Sequence, residues 1–262
     1  MELTWQLFNP ESEAPRILLL APSLAGHVEH QWGEVARLLA GDARVVLVYL
    51  PGHGPVAPWD DADEATLDVV ASGMAGVAAA VREAAGDLPV YYAGLSVSGA
   101  VGLHLARDYP QLFAGIAVVA SAATVGEPAA WRERAAQVED GGTAPLADPT
   151  VQRWFTPAFA EEAPAVVAEI RQDILDTDDH SYAQLCRALA VHDVRDDLPG
   201  MTVPLLVIAG EEDASNPLEK VRLVTQRVPE ARLVVIPGVA HQVPVAAPEA
   251  VAGCLRELLL GR

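Results

Sequence analysis

Three polar residues in this 262-residue chain have the types and spacing for nucleophilic chemistry: Ser96, Asp213 and His241. Ser96 stands in Gly94-Leu95-Ser96-Val97-Ser98-Gly99, with the apolar residues 90–93 before it and an apolar helical pattern after it. A serine hydroxyl is a weak nucleophile until a base takes its proton. A tight strand-to-helix turn strains the serine and lifts its oxygen into a cleft. Only small neighbours fit where strand and helix nearly collide, hence the pattern G-x-S-x-G. Gly94 and Ser96 match it. Ser98 takes the place of the last glycine, with Gly99 directly behind, and serine is small enough to keep the turn.

That turn goes with the chain order serine, acid, histidine. The acid is expected after a late strand, and residues 205–209 are followed by Gly210-Glu211-Glu212-Asp213. The histidine is expected after the last strand, and residues 233–236 are followed by Pro237-Gly238-Val239-Ala240-His241. Glu211 and Glu212 read as solvated surface charges. The other loop where an acid can stand, residues 121–124, has no carboxylate. In these roles His241 takes the Ser96 proton and returns it to the leaving oxygen, while Asp213 fixes the imidazole tautomer and stabilises the imidazolium. The developing oxyanion needs two backbone donors. One is the N–H of Val97, at a helix N-terminus; the second is expected from the loop Pro22-Ser23-Leu24-Ala25-Gly26.

Placing these groups takes a parallel sheet. Val-, Ile- and Leu-rich runs without alternation recur at residues 17–21, 45–50, 90–93, 116–120, 205–209 and 233–236, as strands buried on both faces should. Helical patterns at 32–39, 64–85, 97–107, 218–227 and 248–260 separate them. Strands alternating with helices imply a mostly parallel sheet flanked by helices, with the functional loops at the strands' C-terminal ends. The alternation breaks between Thr124 and Leu198. That stretch is acidic, Pro-containing and helical in pattern, and it holds Trp131 and Trp154. It reads as a helical cap, residues 124–197, inserted into a core made of 1–123 and 198–262.

The formal charge is −19, which sets aside nucleic acid and anionic membranes as partners. Hydrophobic residues make up 51% of the chain, enough for a sizeable core. Cys186 and Cys254 have no metal spacing and read as two reduced thiols. With no apolar run of transmembrane length and no leader pattern at Met1-Glu2-Leu3-Thr4, a cytoplasmic protein is expected. His27, Glu29 and His30 lie close together, but nothing else in the sequence completes a ligand set, so no metal site is expected. His53 reads as a turn residue beside the cleft, His104 as structural, and His180 and His192 as cap or loop residues.

With these motifs the sequence resembles an α/β-hydrolase and, within that superfamily, the 3-oxoadipate enol-lactonases, over nearly the whole chain. The elbow GLSVSGAVG and the C-terminal VPLLVIAGEEDASNP and ARLVVIPGVAH are similar to the family's. The more specific matches are the cap segments AAWRERA, QRWFTPAF and DTDDHSYAQLCRALAVHDVRDDL. The resemblance implies an α/β-hydrolase fold with the cap inserted after the sixth strand. It implies a Ser96-Asp213-His241 triad and an oxyanion hole from Leu24 and Val97. The implied reaction opens the enol-lactone ring of a carboxymethyl-butenolide to 3-oxoadipate, in aromatic catabolism by the β-ketoadipate pathway. The partner is a small lactone or ester, with no metal or organic cofactor.

The chain departs from the family at Tyr49-Leu50-Pro51-Gly52-His53-Gly54, which lacks the usual Asp and Arg before Gly-His-Gly. It has one extra residue in the loop before Trp32 and a short N-terminal segment, which implies a reduced sheet edge. These differences bear on which lactone is bound. The implied substrate carries a carboxylate, so a local cation must offset the acidic surface. Trp131 and Arg134, at i and i+3 of an expected cap helix, share one face. The indole is expected to wall the lactone and the guanidinium to fork onto its carboxylate, with Trp154 of the second cap segment also in the substrate site. Three readings stay open beside this one: a carboxylesterase or lactonase for another small ester, a cofactor-free haloperoxidase-like enzyme, and a ligand receptor on a hydrolase fold.

Overall fold

The computed structural model describes residues 1–262. Seven strands form one sheet: β1 (Trp5–Leu7), β2 (Ile17–Ala21), β3 (Arg44–Val48), β4 (Val90–Leu95), β5 (Gly115–Val119), β6 (Leu205–Gly210) and β7 (Arg232–Ile236). Their order is β1-β3-β2-β4-β5-β6-β7, with β1 antiparallel to β3 and every other pairing parallel. The strands expected from their apolar runs are present, with ends displaced by up to two residues. Strand β1 carries no such run. It is three residues long, exposed, and held at the edge by its pairing with β3.

Alternate residues of β2 enter different cores, as the pleat requires. Ile17, Leu19 and Ala21 join the core that runs on beneath the cap, whereas Leu18 and Leu20 join the opposite one. The first core also takes helices α2 (Leu67–Ala84) and α3 (Val97–Asp108); the second takes α1 (Val28–Leu39) and α11 (Pro248–Leu259). Both faces of the sheet are therefore dry across β2 to β6, which is why those strands read as unbroken apolar runs.

Five helices lie between β5 and β6: α4 (Pro128–Gly141), α5 (Ala144–Trp154), α6 (Pro157–Glu162), α7 (Pro164–Asp176) and α8 (Asp179–Ala190). They follow the fifth strand of this chain, not the sixth. One strand, β1, stands ahead of Ile17, so the count runs one lower than the resemblance implies. Helix α4 packs along α8 and α5 along α7. The remaining helices are α9 (Leu218–Arg227) and the short α10 (Val243–Ala246). No helix is long and apolar enough to cross a membrane.

Candidate active site

Ser96 occupies the turn between β4 and α3 with φ 57° and ψ −112°. This is a region that a residue with a side chain adopts only when its surroundings enforce it. The enforcement is visible. Ser96 N–H donates to Val119 O at 2.8 Å, and a Cβ added at Gly94 would lie 2.2 Å from the Ser98 carbonyl oxygen. Tyr92, fully buried under the turn, donates its hydroxyl to that same carbonyl at 2.8 Å. Ser98, the departure from the glycine pattern, donates its hydroxyl to Pro22 O at 2.6 Å. The extra oxygen therefore pins the elbow to the loop after β2.

His241 Nε2 lies 2.9 Å from Ser96 Oγ, and its Nδ1 lies 2.8 Å from Asp213 Oδ2. With Nδ1–H donated to the carboxylate, the Nε2 lone pair faces the serine hydroxyl. The second carboxylate oxygen of Asp213 accepts the backbone N–H groups of Ser215 at 2.7 Å and Asn216 at 3.1 Å. Asp213 and His241 are both buried, while Glu211 and Glu212 are exposed. Where β6 ends, a Cβ on Gly210 would come within 2.0 Å of Ala240 O, so only glycine lets the acid and histidine loops close together.

The loop of residues 22–26 is held by a buried amide network. Gln31 accepts the Ser23 N–H at 2.8 Å and donates to Ser23 Oγ at 2.6 Å and to Gln242 Oε1 at 3.1 Å. Gly26 N–H turns back to Ser23 O. The N–H groups of Leu24 and Val97 have no acceptor within the chain. Leu24 and Ala25 both border the cavity over Ser96. Gln31 and Gln242 carry no motif that marks them in the sequence; only the closed loop reveals them.

The cavity measures about 240 Å³ and contains Ser96 and His241. That is below the 300–1,000 Å³ usual for drug-sized ligands and suits a small molecule. Trp131, Arg134 and Trp154 all line it. Trp131 donates its indole N–H to Val125 O at 2.6 Å, and the Arg134 guanidinium carbon lies 5.2 Å from the Trp131 ring centroid. Trp154 is buried, with its ring 5.9 Å from that of His241. A second cation, Arg153, also lines the cavity. It directly precedes Trp154 within QRWFTPAF and gives no signal of its own in the sequence. Neither the Arg134 nor the Arg153 guanidinium has a carboxylate within ion-pair distance. Burial, then the charge of Arg134, lowers the Arg153 pKa from its ordinary value. Buried Tyr182, beside both arginines, has its phenol pushed up to about 12 by desolvation. The one carboxylate on the rim, Glu127, faces Lys220 at 3.8 Å.

A parallel sheet, a strained serine at its C-terminal edge and a capping set of helices define an α/β-hydrolase. The chain matches the model of the alpha/beta hydrolase family over residues 18–253 and belongs to that family. It is 34% identical over 159 residues to 3-oxoadipate enol-lactonase 2 of Acinetobacter baylyi; that alignment covers 61% of this chain and 59% of the relative, under two thirds of its length. It is 30% identical over 211 residues to 3-oxoadipate enol-lactonase 1 of the same organism, covering 80% of this chain and 76% of the relative. Among solved structures, the enol-lactonase from Burkholderia xenovorans LB400 superposes with a TM-score of 0.89 at 28% identity, over 98% of this chain and 96% of that one. The fold and these relatives support an ester hydrolase.

Proposed function

We propose that this protein hydrolyses a small carboxylated enol-lactone, of the 3-oxoadipate enol-lactone class, to the open-chain keto acid. The observation that carries this reading is the pair of cations without counter-ions, Arg134 and Arg153, in the cavity that holds Ser96. A chain of charge −19 that leaves two guanidiniums half-buried and without a carboxylate partner is built to receive an anion there.

The chemistry then follows from the geometry. Ser96 Oγ attacks the lactone carbonyl carbon while its proton passes to His241 Nε2. The carbonyl oxygen takes the negative charge and is met by the N–H groups of Leu24 and Val97. Collapse of this intermediate breaks the ring C–O bond. The departing enol oxygen takes the proton from His241, and the enol tautomerises to a ketone. Water then gives a proton to His241 and attacks the acyl-enzyme, and the proton returns to Ser96 as the acid leaves. Asp213 stays hydrogen-bonded to Nδ1 throughout and stabilises the imidazolium. Trp131 and Trp154 wall the ring. A cytoplasmic location and a role in aromatic catabolism belong to the same proposal.

The test is a comparison of steady-state rates on 3-oxoadipate enol-lactone, on lactones lacking the carboxylate and on short p-nitrophenyl esters. A kcat/KM on the carboxylated lactone well above the others is expected. Faster turnover of the uncharged esters would make the protein a general esterase, and no turnover of any would favour a receptor.

A further inference from the structure

His27 caps the N-terminus of α1, and His30 lies in its first turn. The sequence offers these two imidazoles no third ligand, but the fold supplies one. Asp173 of α7, 146 residues from His27, is 1% exposed and projects between them. Its Oδ1 lies 2.7 Å from His30 Nδ1 and 3.3 Å from His27 Nδ1. One donor atom from each of the three residues falls within 4.8 Å of the others.

We propose that His27, His30 and Asp173 form a binding site for a divalent transition-metal ion of the zinc class, which clasps the cap helix α7 to the head of α1.

Tetrahedral zinc with bonds near 2.1 Å sets its ligands about 3.4 Å apart. The His27–Asp173 separation of 3.3 Å already suits this, and the His30–Asp173 contact of 2.7 Å has to open by a fraction of an ångström. Two imidazoles and a carboxylate, with water in the fourth position, form an ordinary three-ligand set for this ion. The surrounding groups fit as well. Ligating histidines usually turn their other ring nitrogen toward a carboxylate, and ligating carboxylates are themselves hydrogen-bonded. Glu169, one turn before Asp173, has its carboxylate 3.7 Å from His30 Nε2, and Asp173 Oδ2 accepts the His27 backbone N–H at 3.2 Å. His27 Nε2 has no hydrogen-bond partner, so moving its proton there breaks no bond. The clasp sits close to the catalytic cavity: Leu24 and Ala25 precede His27 in the chain, and Ile174 follows Asp173, and all three line that cavity.

The test uses full-length protein stripped with EDTA and desalted. Titration with Zn²⁺ by calorimetry, and with Co²⁺ by visible absorption, is expected to show one site of micromolar affinity or tighter, with the d–d bands of four-coordinate cobalt. His30→Ala, at a partly exposed position, is expected to weaken Zn²⁺ binding by at least about tenfold, and Glu169→Gln by a smaller factor. His180→Ala, which removes the separate exposed pair with Asp61, is expected to leave affinity unchanged. Saturating Zn²⁺ is expected to raise Tm by about 5 °C in the parent and not in His30→Ala. Absence of saturable binding, or equal Zn²⁺ affinity in the parent and the folded His30→Ala variant, overturns the site. None of these readouts depends on lactone turnover.

Discussion

The backbone N–H of His241 donates to the carbonyl oxygen of Trp154 at 3.0 Å, and the N–H of Gln242 donates to the same oxygen at 3.2 Å. The histidine loop of the core is therefore bonded directly to the last residue of cap helix α5. That helix also carries Arg153. The cap is thus bonded to the loop that carries the imidazole as well as lying over it. Changes that loosen α5 are expected to reach both substrate binding and proton transfer.

Ser96→Ala is expected to lower kcat by on the order of 10⁴–10⁶ while leaving the circular dichroism spectrum unchanged. The alanine removes the nucleophile but keeps the strained turn, which is held by Val119 and the tight fit at Gly94. A purified variant that keeps most of its activity would assign the nucleophile elsewhere.

Asp213→Asn is expected to cost roughly 10⁴ in kcat, because the amide can hold the imidazole in the wrong tautomer. Glu212→Gln, one residue away and exposed, is expected to change kcat little. Equal, mild effects of the two changes in parallel kinetics would contradict the role of the acid.

Arg134→Ala is expected to raise KM for the carboxylated lactone by one to two powers of ten, roughly the 1.5–3 kcal/mol of a charge-assisted hydrogen bond. Arg153→Ala is expected to act in the same direction. Both are expected to leave an uncharged p-nitrophenyl ester nearly unaffected. Parallel losses on both substrates would instead point to disruption of the cap.

Gln31→Leu keeps the volume of the side chain but leaves the Ser23 N–H and Gln242 Oε1 without their partner. Each orphaned group costs about 1–3 kcal/mol. Because the network holds the Leu24 loop, the loss is expected mainly in kcat, with KM little changed; a pure KM effect in steady-state kinetics would refute this positioning role.

Acid stability follows from two buried imidazoles. Burial pushes the pKa values of His53 and His192 down to about 4 from the ordinary 6.5. Between those values the unfolded chain binds more protons than the folded one, so stability falls as pH drops from 6.5 toward 4. Each group is worth on the order of 3 kcal/mol over the full window. Thermal melts are expected to show Tm falling steeply from pH 6.5 to 4.5, and His53→Asn is expected to flatten the slope. A flat Tm across that window in the parent would contradict it.

The residues at 96, 213 and 241 and their order were legible from the sequence because each follows a strand marked there by an apolar run. The core helices were legible for the same reason. Strand β1 was not, since Trp5, Gln6 and Leu7 are exposed and only pairing with β3 makes them a strand. Nor was the full polar lining. Gln31 reaches Gln242 across 211 residues, and Asp173 reaches His30 across 143. Local sequence carries information about backbone conformation and burial, because propensity and periodicity act over a few residues. Which side chains converge on one point depends on how the cap closes over the sheet. Arg153 therefore looks like any other helical arginine until α5 sets it beside Arg134, and only the tertiary structure made the pair.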